Sequence, residues 1–117
     1  MKRVLVVDDN AVNRKLAVAM LRKRGWEADE AEDGFAALRM LESTAYDHVL
    51  LDISMPGLDG EEVCRRIRSM ADTRGLHVVA YTAHALESEK QRIMAAGFND
   101  IIIKPMTMDV LLAKLPD

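Results

Sequence analysis

The sequence predicts an α/β fold in which five strands and five helices alternate, a (βα)₅ chain with a parallel sheet covered by helices on both faces. Three observations lead there. Short apolar runs recur at Val4-Leu5-Val6-Val7, His48-Val49-Leu50-Leu51, His77-Val78-Val79-Ala80-Tyr81 and Ile101-Ile102-Ile103. They are too short for helices and apolar at consecutive positions, as strands buried on both faces are. Segments of helical spacing separate them, and parallel neighbours need such crossovers. No linker, low-complexity run or internal repeat interrupts the alternation, so a single domain over residues 1–117 is expected.

The first helix is read from Val12, Leu16, Ala19 and Met20 at i, i+4, i+7 and i+8, with Gly25 as its stop. A weak strand at 26–30 leads through Asp33-Gly34 into a helix carrying Phe35, Leu38 and Leu41. The third helix opens at Asp59-Gly60-Glu61-Glu62, with Asp59 as cap, Glu62 at N3, and Val63, Ile67 and Met70 on one face. The fourth runs from about Ala85 to Ala96 and stops at Gly97. After Pro105 the last helix takes Thr107 as N-cap and Asp109 in its positive first turn, with Met108, Leu111, Leu112 and Leu115 as its buried stripe.

Composition narrows the function classes. With 117 residues, 50% hydrophobic, a core that buries about two thirds of the unfolded surface can hold without staples. Cys64 is alone, which excludes an internal disulfide; it is expected to pack as a small hydrophobe and suits a reducing cytoplasm. No apolar run approaches the roughly 20 residues of a membrane span. A formal charge of −3 and the lack of a basic, aromatic-laced stripe argue against nucleic acid as a ligand.

Ligands of open parallel sheets bind beyond the carboxyl ends of the strands. Reading those ends in order gives Asp8-Asp9, then Asp52, Thr82 and Lys104-Pro105. Three carboxylates within about 5 Å repel by roughly 3 kcal/mol per ionised pair at an effective dielectric of 20, so a cation must relieve them. Oxygen ligands without His or Cys suit Mg²⁺, and a Lys and a Thr alongside supply a charge and a hydrogen bond for phosphate oxygens. This is a phosphoryl site. Asp52 is the candidate nucleophile, able to form an acyl phosphate, while the Asp8-Asp9 pair suits metal holding. The plainer alternative for Asp8 and Asp9, capping of the first helix, is open to Asn10 as well.

The Val-Asp-Asp-Asn of residues 7–10, the Leu-Asp-Ile-Ser-Met-Pro-Gly-Leu-Asp-Gly of residues 51–60, Thr82-Ala83 and Lys104-Pro105 together resemble the receiver domain of two-component response regulators. The likeness covers essentially the whole chain, and Asp-Asn-Ala-Val-Asn-Arg at 9–14 is most similar to receivers of hybrid histidine kinases and some single-domain receivers. The resemblance implies a flavodoxin-like fold with strand order 2-1-3-4-5. It implies that Asp52 accepts a phosphoryl group from the phosphohistidine of a kinase or phosphotransfer protein. Asp9 would bind Mg²⁺ directly, Asp8 largely through water, and Ser54 through its backbone carbonyl. Lys104 would pair with the phosphate, Thr82 would swing toward it, and Pro105 would follow a cis peptide bond. Output would pass to a partner, or to another domain of a parent protein, at the face of the fourth and fifth helices, in the cytoplasm.

One position departs from the pattern. Ile101 stands three residues before Lys104, where many relatives carry Tyr or Phe as a switch coupled to the Thr. Tyr81 is no substitute there, because adjacent strand residues point to opposite faces. Ser54 and His84 follow Asp52 and Thr82 by two residues, positions that influence dephosphorylation in this family. His48 and His77 read as strand starts without a chemical role, and Arg65, Arg66 and Arg68 as a solvated face. Competing functions are a receiver-like docking module that acts without phosphorylation, a phosphatase with an Asp nucleophile, and a flavin or nucleotide binder. The phosphatase needs a general acid where Ser54 stands and usually a cap domain. Acids after the first strand would repel the phosphate of a nucleotide.

Overall fold

The apolar runs form the middle of the sheet. In the computed structural model, which describes residues 2–83 and 86–115, the elements follow the order β1 (Arg3–Val7), α1 (Ala11–Lys23), β2 (Glu27–Ala31), α2 (Gly34–Ser43), β3 (His48–Asp52), α3 (Gly60–Ser69), β4 (His77–Thr82), α4 (Glu87–Ala95), β5 (Asp100–Ile103) and α5 (Met108–Lys114). The five strands are parallel in the order β2-β1-β3-β4-β5, as expected. His84 lies outside the described residues.

Side-chain alternation divides the core in two. Leu5, Val7, Val49, Leu51, Val78 and Ala80 face one way, against α2, α3 and α4 through Leu41, Val63, Ile67 and Ile93. Val4, Val6, Leu50, Val79, Tyr81 and Ile102 face the other, against α1 and α5 through Ala17, Val18, Leu21, Leu111 and Leu115. Cys64 is fully buried in the first layer, and burial raises its thiol pKa.

The helices begin where the sequence places their caps. Asn10, Asp33, Asp59 and Thr107 accept from the backbone N–H of Asn13, Ala36, Glu62 and Val110. The face of α1 corrects the sequence reading. Val12 and Leu16 are 77% and 52% exposed, and Ala17, Val18 and Leu21 are the residues buried. Small and β-branched side chains let the helix lie close on the sheet. Arg14, on that inner side, spends its guanidinium on Glu30 Oε1 at 2.8 Å and the Asp8 carbonyl at 2.9 Å. That bond holds the Glu30 carboxyl below the usual carboxylate range. Phe35 and Leu112, also expected inside, are half exposed.

Two positively charged groups depart from a merely solvated role. Arg68 donates to the carbonyls of Gly97, Arg74 and Leu76 and to Asn99 Oδ1 at 2.6–2.9 Å. It thus ties the end of α3 to the turns flanking β4 and β5. At the N-terminal pole of the sheet, the Arg24 guanidinium lies 3.8 Å from the centre of the Trp26 ring and donates to the Leu115 carbonyl. Trp26 stacks on His48 with ring centres 5.3 Å apart. His48 and His77, register partners on β3 and β4, bring Nδ1 to Nδ1 at 2.8 Å. One Nδ1 must donate and the other accept, so both rings cannot be charged in this arrangement.

Two predictions follow from these contacts. Burial, then the His77 ring, lowers the His48 pKa from 6.5 to about 4, and burial lowers His77 as well. The folded state therefore binds these protons less readily than the unfolded chain. Their stabilisation is complete above about pH 6.5 and drains as pH falls toward 4, on the order of 2–3 kcal/mol for His48. Urea midpoints measured across that window should fall steeply in the wild type and less steeply in His48→Phe, which keeps the stack on Trp26. The second concerns Gly60, where a Cβ would meet the Asp52 carbonyl and come within 2.9 Å of Ile53 Cα. Gly60→Ala should cost roughly 1–3 kcal/mol in chemical denaturation and shift the Asp52 and Ile53 amide resonances.

Candidate functional site

Strand register builds the site. Val7 pairs with Leu51, so the next residues, Asp8 and Asp52, emerge side by side at the ends of adjacent strands. On the other flank Thr82 pairs with Ile103, and Lys104 follows directly. Asp8 and Asp52 are 0% and 5% exposed, whereas Asp9 is exposed. Carboxylate oxygens of Asp8, Asp9 and Asp52 all lie within 4.8 Å of one another.

Among the described residues the cluster has one internal cation. Lys104 Nζ stands 3.2 Å from Asp8 Oδ2 and 3.6 Å from Asp52 Oδ2, with its side chain 16% exposed. Asp52 Oδ1 accepts the Ser54 N–H at 3.2 Å, and Asp8 Oδ1 accepts the Asn10 N–H at 2.9 Å. Asn10 is the cap of α1, which leaves Asp8 and Asp9 unoccupied by that task. Burial, reinforced by the Asp8 charge and opposed by Lys104, pushes the Asp52 pKa up to about 6. One ammonium is too little for three acids. Among the described residues the site is therefore short of positive charge, and its donors are hard carboxylate oxygens without His or Cys. Two oxygens on opposite sides of a Mg²⁺ ion stand about 4.2 Å apart, which the 4.8 Å cluster accommodates.

The remaining residues singled out by sequence fall around this rim. Thr82 is buried at the end of β4, and its carbonyl accepts the Lys104 N–H at 2.7 Å. Ser54 is exposed in the loop after β3, behind which Met55 and Leu58 are buried. The Lys104–Pro105 peptide is cis. Ile101 packs against the layer of α2, α3 and α4. Tyr81 lies in the opposite layer and is 3% exposed, with Lys104 Nζ 4.8 Å from its ring centre.

Sequence reasoning passed over that contact. The parity that separates Tyr81 from Ile101 also places it with Ile102, its register partner, and with Lys104 two residues beyond. The signal was present in the alternation.

Comparison with known proteins agrees with this geometry. The family described as the response regulator receiver domain matches residues 4–116. The chain is 44% identical over 108 residues to the sensor histidine kinase RcsC of Salmonella typhimurium, covering 92% of the chain and 11% of that protein. It is 39% identical to the sensor protein GacS of Pseudomonas syringae, covering 90% of the chain and 12% of that protein. It thus spans about a tenth of the length of these curated relatives. Among solved structures, chemotaxis protein CheY4 of Vibrio cholerae superposes with a TM-score of 0.93 at 28% identity, covering 98% of this chain and 96% of that one. The receiver domain of sensor histidine kinase PA1611 from Pseudomonas aeruginosa, solved with magnesium coordinated in its active-site cleft, gives 0.89 at 36% identity, covering 96% and 92%. With acids, hydroxyl and ammonium gathered at the strand ends of this fold, the chain belongs to the response regulator receiver family.

Proposed function

We propose that this receiver is a phosphoacceptor switch in which Asp52 takes a phosphoryl group from a phosphohistidine of a histidine kinase or phosphotransfer protein. The observation that supports it most is the buried Asp52 carboxylate, set beside two further acids and within 3.6 Å of Lys104. Receivers are signalling domains, and this one is homologous to the receivers of hybrid sensor kinases.

The chemistry is a displacement at phosphorus. An Asp52 oxygen bonds to phosphorus as the histidine N–P bond breaks, the leaving imidazole nitrogen keeps the electron pair and takes up a proton, and an acyl phosphate forms. Asp9, Asp8 and Asp52, with the Ser54 carbonyl, would hold Mg²⁺. Bound there, the ion supplies Lewis-acid neutralisation of the phosphoryl oxygens. Ser54 N–H fixes the Asp52 carboxylate, and Lys104 is placed to exchange its Asp52 contact for a phosphoryl oxygen. Thr82, one step along the rim, provides a hydroxyl for another oxygen and relays the change into the segment that precedes α4. That helix is poised for a shift: only Ile93 is buried and Leu86 gives no side-chain cap. Modification then biases two states of one fold rather than creating a new one.

Exposed Val12 and Leu16 on α1 and Phe35 at the start of α2 are apolar surface suited to a docked phosphodonor domain. Among the described residues no helix is long and apolar enough to cross a membrane.

Incubation with acetyl phosphate and Mg²⁺ tests the proposal by intact mass. The wild type should gain one phosphoryl group, and Asp52→Asn or EDTA treatment should abolish the gain. Lys104→Ala should slow labelling on the order of a hundredfold. No adduct in the wild type, with amide resonances unmoved by Mg²⁺ and beryllofluoride, would leave a docking module in place of a phosphoacceptor. With a phosphodonor protein, the pair Val12→Glu and Leu16→Glu should lower transfer about tenfold relative to the acetyl phosphate rate of the same variant.

A further inference from the structure

We propose that Tyr81 is a positioning residue for Lys104, its ring face holding the ammonium over the gap between Asp8 and Asp52. The contact is a cation over a π-face, 4.8 Å from Nζ to the ring centre. The ring is held in the core. It is 3% exposed and belongs to the layer of Val79, Ile102 and Leu111.

The need for such an anchor follows from the chemistry of the site. Lysine carries its charge on a four-carbon stem with many rotamers, and ordering that stem costs entropy. Asp8 and Asp52 attract the ammonium now, at 3.2 and 3.6 Å. Both are the groups whose charge is taken up when a cation binds or Asp52 is esterified, so their hold on Lys104 weakens as the reaction proceeds. The ring quadrupole is untouched by those events. Tyr81 is a neighbour whose attraction depends on neither carboxylate, and it lies directly before Thr82 on the same strand. An aliphatic residue would fill the volume without that attraction.

The catalytic part of this inference rests on Asp52 being the phosphoacceptor; the positioning of the ammonium does not. The test compares wild type, Tyr81→Phe, Tyr81→Leu and protein with pentafluorophenylalanine incorporated at position 81, which keeps the ring's shape and reverses its quadrupole. Acetyl phosphate labelling rates should stay within about twofold of wild type in Tyr81→Phe and fall roughly tenfold in the fluorinated and Leu proteins. The ε-methylene protons of Lys104 should be shifted upfield by the ring in wild type and Tyr81→Phe, and return to ordinary values in Tyr81→Leu. Equal rates in all four proteins would overturn the proposal. Equal slowing in Tyr81→Phe and Tyr81→Leu would also do so, by assigning the effect to the hydroxyl. If the wild type takes no label, the phosphoacceptor reading fails. The Lys104 proton shifts then decide on their own whether the ring holds the ammonium, and unshifted protons in the wild type would reject it.

Discussion

Everything at the rim depends on two carboxylates being forced into adjacency by strand register. Asp8 and Asp52 cannot separate without sliding β1 against β3, and the Val7–Leu51 pairing that fixes them is buried on both faces of the sheet. A one-residue slip would turn Leu5 and Val7 toward α1 and α5 and empty the other layer. Core packing thus sustains an electrostatic arrangement that the charges alone would disperse. The unfavourable part is localised on Asp52, raised to about 6 by burial and by Asp8, and Lys104 offsets it only partly.

The two layers of the core divide the work. Asp8, Asp52, Tyr81 and Lys104 gather on the side of α1 and α5, while Ile101 and α4 belong to the other. Thr82 stands at the end of β4. α4 is held to α3 by Arg92 on Glu61 at 2.7 Å, an exposed pair of modest strength. Beyond its last residue Arg68 grips the Gly97 carbonyl. Gly97 has φ +111°, and a Cβ there would press on Arg68 Cγ at 2.9 Å, so the grip depends on glycine for both reasons. The helix is therefore firmer at its end than at its start, which is the end nearer the acids.

Much of this was legible in the sequence, because strand burial, capping residues and the order of chemical groups at strand ends are local signals. The β1 run, the Asp59 cap and the stop at Gly25, with φ +91°, all lie where expected. What failed was the choice of helix face. Val12, Leu16, Ala19 and Met20 have a clean helical spacing, yet the inner face of α1 is defined by Ala17, Val18 and Leu21 and by an arginine that finds a carboxylate and a carbonyl. Periodicity finds an apolar stripe and cannot say whether the sheet or a partner covers it. Arg68 was misread for a related reason: its bonds to the Gly97 carbonyl and Asn99 join residues some thirty positions apart, and nothing local announces them; His48 and His77 do open β3 and β4, and only their mutual contact escaped the sequence.

The Arg24 bridge to the Leu115 carbonyl has a geometric consequence for tethering. It ties the foot of α5 to the turn before β2, and Lys2, at the opening of β1, accepts the Glu27 N–H at 2.9 Å at that same pole. Both described ends of the chain are therefore moored at the opposite end of the strands from the acids. A leash attached at either point swings the whole acidic rim outward as one face, free to meet a partner without the leash crossing it.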